Sequence, residues 1–142
     1  MKGMIYRDQG NAENARSSFQ TAVEVNPNFF DGYIALGLAY AADMDTLALG
    51  FFETAKELRP QSVEARYNLA YFLQEHKPTN RRFLDRARQE YREILQIDPS
   101  NAASAFNQGY IFLEYLQSYD SAAHHFSKAL EALPYYHQAF FN

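Results

Sequence analysis

The sequence predicts an all-α protein, an α-solenoid of helix-turn-helix repeats in which each helix pair stacks on the next. Three observations lead there. Tyr33-x₂-Leu36-Gly37-x₂-Tyr40 lies on one stripe of a helix, and Ala48-x₃-Phe52 with Ala55 lies on one stripe of a second. The same pairing recurs upstream and downstream. The prolines that end successive copies, Pro27, Pro60, Pro99 and Pro134, stand 33, 39 and 35 residues apart, so the unit has a nearly constant length. Such a period marks a one-dimensional array, whose stability is a sum of neighbour interfaces instead of one central core.

The first copy, about residues 1–29, is partial. Its first residues, up to about position 9, read as the remainder of a helix, Gly10-Asn11 as a turn, and Ala12 to about Val25 as a second helix carrying Ala15-x₃-Phe19 and Ala22. Proline disfavours helical geometry in the residue before it, so Asn26-Pro27 closes the copy. In the second copy, 30–62, a helix up to Ala42 is followed by a turn at Asp43-Met44-Asp45-Thr46 and a helix to Leu58. Asp43 or Asp45 can cap that second helix, since a carboxylate accepts from the free N–H groups of its first turn. The two acids lack the third acid and the glycine of an Asp-x-Asp-x-Asp-Gly calcium loop.

The third copy, 63–101, opens with Arg66-x₂-Leu69-Ala70-x₂-Leu73 and continues with Ala87-x₃-Tyr91. Between these helices Lys77-Pro78-Thr79-Asn80 lengthens the turn by about five residues relative to the period; Pro78 stops one helix, and Thr79 or Asn80 can cap the next. The fourth copy, 102–136, carries Ala105-x₂-Gln108-Gly109-x₂-Phe112, then Ala122-x₃-Phe126 and Ala129, and residues 137–142 read as the start of a further helix. Gly37 and Gly109 fall where the helices of a pair should come closest; in the second copy the small Gly37 and Ala48 let the backbones approach, and Tyr33, Tyr40 and Phe52 fill the volume beside them.

Of the 142 residues 47% are hydrophobic and 16% aromatic, ample material for a packed array and too much for a disordered chain. The net charge of −4 is too mild to point to nucleic acid or to an anionic membrane surface. No apolar run approaches the roughly 20 residues of a membrane span, so no membrane insertion is expected. Met1 to Tyr6 is not expected to be a signal peptide, because Gly3 and Tyr6 sit in repeat phase and Arg7-Asp8 follows. The absence of cysteine removes disulfides, thiolate metal sites and a cysteine nucleophile.

No glycine-rich phosphate loop or hydrolase signature occurs, and the expectation is a non-catalytic protein without cofactor or metal. His124 and His125 are adjacent, so on a helix they point about 100° apart and cannot share one ion. Arg81, Arg82, Arg86, Arg88 and Arg92 form a basic helix that an acidic partner could use, but Asp85 and Glu90 stand at the spacing of ordinary surface ion pairs.

The repeated pattern resembles the tetratricopeptide (TPR) repeat, W-x₂-L-G-x₂-Y, A-x₃-F, P, with Tyr33 in place of the opening Trp of the second copy. The likeness extends over nearly the whole chain, as over a segment of a longer array. It implies a right-handed solenoid that binds a protein or an extended peptide as a scaffold or adaptor, in a groove lined by the first helices of each pair. On those helices the stripe turned away from the second helices forms columns: Ile34, Tyr67 and Phe106; Ala35, Asn68 and Asn107; Leu38, Tyr71 and Tyr110. The expected peptide-binding groove is therefore Ile34, Leu38, Tyr67, Asn68, Tyr71, Phe106, Asn107 and Tyr110. Its tyrosines offer contact area at low entropic cost, and its asparagines can pair with both backbone groups of a peptide.

Family members that hold the C-terminal tails of Hsp70 or Hsp90 present Lys and Arg from this face. Here it carries Asp31, Glu64, Glu75 and Glu114, so no such tail is expected. The alternatives are a self-assembly module, with a homodimer formed through the terminal repeats near Phe140 and Phe141, and a secretion-chaperone-like holder of one client.

Overall fold

The computed structural model describes residues 2–76 and 80–133, with the backbone alone for residues 2–9. Seven helices are formed among them: α1 (Lys2–Val25), α2 (Phe30–Ala42), α3 (Leu47–Leu58), α4 (Val63–His76), α5 (Arg81–Ile97), α6 (Ala102–Glu114) and α7 (Tyr119–Ala132). No strand occurs among the described residues, and none of their helices is long and apolar enough to cross a membrane. Two compact units, Met1–Ala65 and Arg66–Asn142, divide the chain within α4.

In the first unit, α1 differs from expectation. It runs straight through Gly10 and Asn11, where the sequence suggests a turn. Glycine in a helix interior costs only about 1 kcal/mol relative to alanine, which does not break a helix unless packing rewards a hairpin. A Cβ at Gly10 would meet nothing within 4 Å, so no close approach occurs at that point to reward one.

The contact between α1 and α2 forms at Gly32 instead, where an added Cβ would lie 2.8 Å from Phe29 and from Val23. The α1–α2 joint is also tied electrostatically. Arg16 Nη1 is 3.1 Å from Asp43 Oδ2, and the same guanidinium lies 5.2 Å from the centre of the Tyr40 ring. Tyr33, which replaces the family's Trp, donates its hydroxyl to the Pro27 carbonyl at 3.0 Å and so anchors the preceding turn.

The α2–α3 pair closes on Gly37. A Cβ there would fall under 3.0 Å from the Phe52 ring, and Phe52 is buried with Leu36, Ala48 and Ala55. Asp45 Oδ1 accepts from the Leu47 N–H at 2.9 Å, which fulfils one of the two capping assignments, while Asp43 is engaged by Arg16. Met44 takes a left-handed φ of 55° in the turn, a conformation that neither side chain nor sequence advertises.

The second unit holds its two helix pairs by different means. In α6–α7, Gly109 faces Phe126, with the ring 2.8 Å from where a Cβ would stand. In α4–α5 the corresponding residues are Ala70 and Tyr91, both fully buried, and the Tyr91 hydroxyl donates to Gln74 Oε1 at 2.8 Å. Burial, with Tyr67, Tyr71 and Glu75 nearby, pushes the Tyr91 phenol well above its ordinary pKa.

Arg66, at the place of the family's Trp, pairs with Glu90 Oε2 at 2.9 Å, both side chains largely withdrawn from solvent. Glu90 is therefore an inward partner of α4 and not only a member of the surface of α5. Asn80 and Asn101 cap α5 and α6, accepting from Phe83 at 3.2 Å and from Ser104 at 2.9 Å. Lys77, Pro78 and Thr79 lie outside the described residues, as do Pro134 and the further helix expected at 137–142.

The glycines separate two roles that composition alone merges. Gly109→Ala should destabilise the protein by about 1–3 kcal/mol through overpacking against Phe126. Gly50, on α3, has nothing within 4 Å of the place a methyl would take, and Gly50→Ala should stabilise by about 0.5–1 kcal/mol. Urea unfolding of the two variants checks the pair; equal effects would contradict the slot assignment.

Candidate functional site

The first helices of the second unit bring part of the expected groove together. Tyr67 and Tyr71, one helical turn apart on α4, stack with centroids 6.1 Å apart and planes 13° off parallel. Beneath them the buried Tyr91 meets the Tyr67 ring edge-on at 5.9 Å, so the outer rings rest on a fixed one. From α6, Asn107 Nδ2 donates to the Tyr67 hydroxyl at 3.1 Å and to the Ala103 carbonyl at 2.8 Å. Tyr110 extends the face and packs edge-on against Tyr115 at 5.8 Å.

Carboxylates tune this face. Glu75 is the largest cause raising the Tyr71 phenol above its usual pKa, followed by burial and then the neighbouring phenols Tyr67 and Tyr110. The Tyr115 phenol is pushed up to about 12, first by burial, then by its hydrogen bond and charge coupling with Tyr110, and then by Glu75 and Glu114. The raised pKa values keep the Tyr71 and Tyr115 phenols neutral at physiological pH, with Glu75 acting on both. The surface is aromatic, hydroxyl-rich and acidic.

The remaining expected groove residues have other positions. Ile34 and Leu38 belong to the first unit. Ile34 is 5% exposed, a core residue as befits a helix that is apolar all round, and offers no surface; Leu38 is 49% exposed. Phe106 is 53% exposed but turns toward α7, its ring 5.3 Å from Phe126, and lines an apolar cleft of about 640 Å³ with Ala102, Ala129, Leu130 and Leu133.

Asn68 is half-buried on α4, whereas Asn107 is only 9% exposed with both amide hydrogens spent inside the protein. The amide ladder thus loses one rung: Asn107 positions Tyr67 and cannot present its N–H groups to a peptide. Sequence reasoning missed Tyr115 and the supporting ring of Tyr91. Tyr115 stands three residues past the family's helix-closing position at Phe112, where no repeat phase marks it.

Because Asn107 is structural and Asn68 is not so held, their alanine variants should diverge. Asn107→Ala should cost about 1–3 kcal/mol of stability, since it removes both hydrogen bonds of a buried amide and frees Tyr67, while Asn68→Ala should change stability by about 0.5 kcal/mol or less. Chemical denaturation of both variants measures the difference, and equal losses would contradict the hydrogen-bond assignment.

Comparison with known proteins fits this arrangement. Residues 3–43 match the TPR repeat family, and residues 80–137 match the tetratricopeptide repeat family. Anaphase-promoting complex subunit 3 of Schizosaccharomyces pombe is 30% identical over 131 residues; the match covers 89% of this chain but only 18% of that protein's length. Among solved structures, MamA superposes with a TM-score of 0.75 at 24% identity, covering 92% of this chain and 68% of the other. YrrB, a TPR protein with an unusual peptide-binding site, superposes with a TM-score of 0.74 at 24% identity, covering 93% and 66%. At such identities the structural likeness speaks for the fold. With helix pairs closed at Gly37 and Gly109, a repeat pattern in phase along the sequence, and these matches, the chain belongs to the tetratricopeptide repeat family and has its all-α solenoid fold.

Proposed function

We propose that this protein is a non-catalytic scaffold that binds a protein segment on the tyrosine face of its second unit. The observation that carries this reading is Tyr71. It is 47% exposed, yet its ring is held against Tyr67, which is itself held by Tyr91 and Asn107. An exposed aromatic that is already ordered loses little entropy on binding, which is the property of an interaction hot spot. Anaphase-promoting complex subunit 3, by its name a member of a multi-protein assembly, supports the scaffold class and not a particular partner.

The contact residues are Tyr67, Asn68, Tyr71 and Tyr110, with Asn107 in the positioning role and Tyr115 as a flank. Glu75 and Glu114 set the charge preference. A segment ending in clustered carboxylates meets like charge here, so an Hsp70 or Hsp90 tail remains an unsuitable ligand, whereas Lys or Arg side chains can lie over tyrosine faces and pair with these acids. Phe106 turns toward α7, Leu38 belongs to the first unit, and the homodimer expected through Phe140 and Phe141 falls on residues outside those described.

A displayed library of random peptides selected on the immobilised protein tests the reading. The selected peptides should be enriched in Lys or Arg, and Tyr71→Ala with Tyr110→Ala should weaken them about tenfold or more, as loss of two hot-spot rings does, with little change in the thermal midpoint. Peptides that bind the double variant as tightly as the parent would place the binding surface elsewhere.

A further inference from the structure

A second site lies in the same unit but on different residues, in a pocket of about 310 Å³ between α5, α6 and α7. Five of its lining side chains are basic or can become so: Arg88 and Arg92 from α5, and His124, His125 and Lys128 from α7. No Asp or Glu lines it among the described residues. In a chain of net charge −4, that convergence of one sign is a local departure from the average.

Arg88 and His125 are held in place by their neighbours. The Arg88 guanidinium carbon lies 4.4 Å from the centre of the Phe112 ring, and Phe112 is parallel to the His125 imidazole, with centroids 5.2 Å apart and planes 3° off parallel. An exposed carboxylate, Asp85, touches the outer side of the guanidinium at 3.4 Å. Arg88 Nε and His125 Nδ1 are buried with no hydrogen-bond partner among the described residues. Buried polar atoms are nearly always paired, so two orphans in one wall mark incomplete electrostatic compensation. Burial first, and then the charges of His124, Arg88, Lys128 and Arg92, lower the His125 pKa, which agrees with a surplus of positive potential.

We propose that this pocket is an anion site that takes a phosphomonoester. A dianion with three terminal oxygens can engage the arginine fork and the lysine together, which a single carboxylate cannot do as fully. Arg92, His124 and Lys128 are exposed and supply the reaching groups, while Arg88 and His125 form the fixed wall. Leu95 and Pro99 also line the pocket and give an apolar side on which the carbon skeleton bearing the phosphate can rest. The site is independent of the tyrosine face, so the failure of either reading leaves the other standing.

Nuclear magnetic resonance titration at about pH 7.5, where a phosphomonoester is mostly dianionic, tests this at constant ionic strength with three probes. These are inorganic phosphate, a short blocked peptide with one phosphoserine among alanines, and the same peptide with serine. Phosphate or the phosphopeptide should shift signals of His124, His125, Arg92 and Lys128, and the serine peptide should not. Arg92→Ala with Lys128→Ala, both surface changes that should leave the thermal midpoint unmoved, should weaken this binding about tenfold or more. A phosphopeptide that binds more tightly than inorganic phosphate identifies a phosphorylated polypeptide as the source; equal binding identifies the free ion. No shift in the pocket, shifts retained in the double variant, or equal binding by the serine peptide overturns the proposal.

Discussion

Each helix pair depends on an aromatic ring from the second helix occupying space that the first helix leaves empty. Phe52 fills the slot at Gly37 and Phe126 the slot at Gly109, so closely that a single methyl in either position would overlap the ring. A ring placed this way is a lock and a spacer at once. It helps to fix the rotation of each first helix about its axis, because the side facing the ring must carry a small residue, Gly37, Ala70 or Gly109, and it thereby decides which stripe of that helix remains free to face a ligand. The tyrosine face is a consequence of that rotation. On α4, Leu69, Ala70 and Leu73 are buried, and Tyr67 and Tyr71 are left on the other side.

The α4–α5 pair shows how the constraint survives substitution. Where glycine becomes alanine at Ala70, phenylalanine becomes Tyr91, and its hydroxyl is satisfied by the buried Gln74. Where the family's Trp becomes Arg66, the charge is met by Glu90 on α5. Each replacement buries a polar group and brings its partner with it, as a low-dielectric interior demands. Tyr91 then acts in two directions, closing the pair on one side and supporting Tyr67 on the other. Structure and candidate binding surface share that residue.

Most of the fold was legible because it is written in spacing. Pattern matches at Gly37, Ala48 and Phe52, repeated in phase, specify a helix pair with little dependence on context, and the capping roles of Asp45 and Asn80 follow from local chemistry. What spacing does not encode is the environment of a position. Gly10 could be read as a turn, since glycine permits one, but the choice between turn and helix lies in tertiary packing that one residue does not reveal. Met44 and Gln117 adopt left-handed φ values of 55° and 52° without the glycine or asparagine that would announce them.

The candidate site was half legible for the same reason. A stripe on a helical wheel identifies neighbours, and Tyr67 and Tyr71 do stack one turn apart, although Tyr67 also meets Tyr91 of α5. It does not reveal whether an amide is free, and Asn107 is consumed by Tyr67 and Ala103. Nor does it show depth, which removes Ile34 from the surface. The basic helix has the spacing of ordinary surface ion pairing, and Arg81 and Arg88 do meet Asp85. Only the packing of α7 beside it adds His124, His125 and Lys128 and turns part of that surface into a pocket.

The dependence of the fold on the ring-in-slot contact is measured most directly by a double-mutant cycle of Gly37→Ala and Phe52→Leu, with unfolding free energies from urea denaturation. If the ring and the missing Cβ are one interaction, the smaller, flexible leucine accommodates the new methyl, and the double variant should be more stable than the sum of the singles predicts, by about 0.5–3 kcal/mol. Additivity within about 0.3–0.5 kcal/mol would mean that the two residues act separately, and would contradict the account.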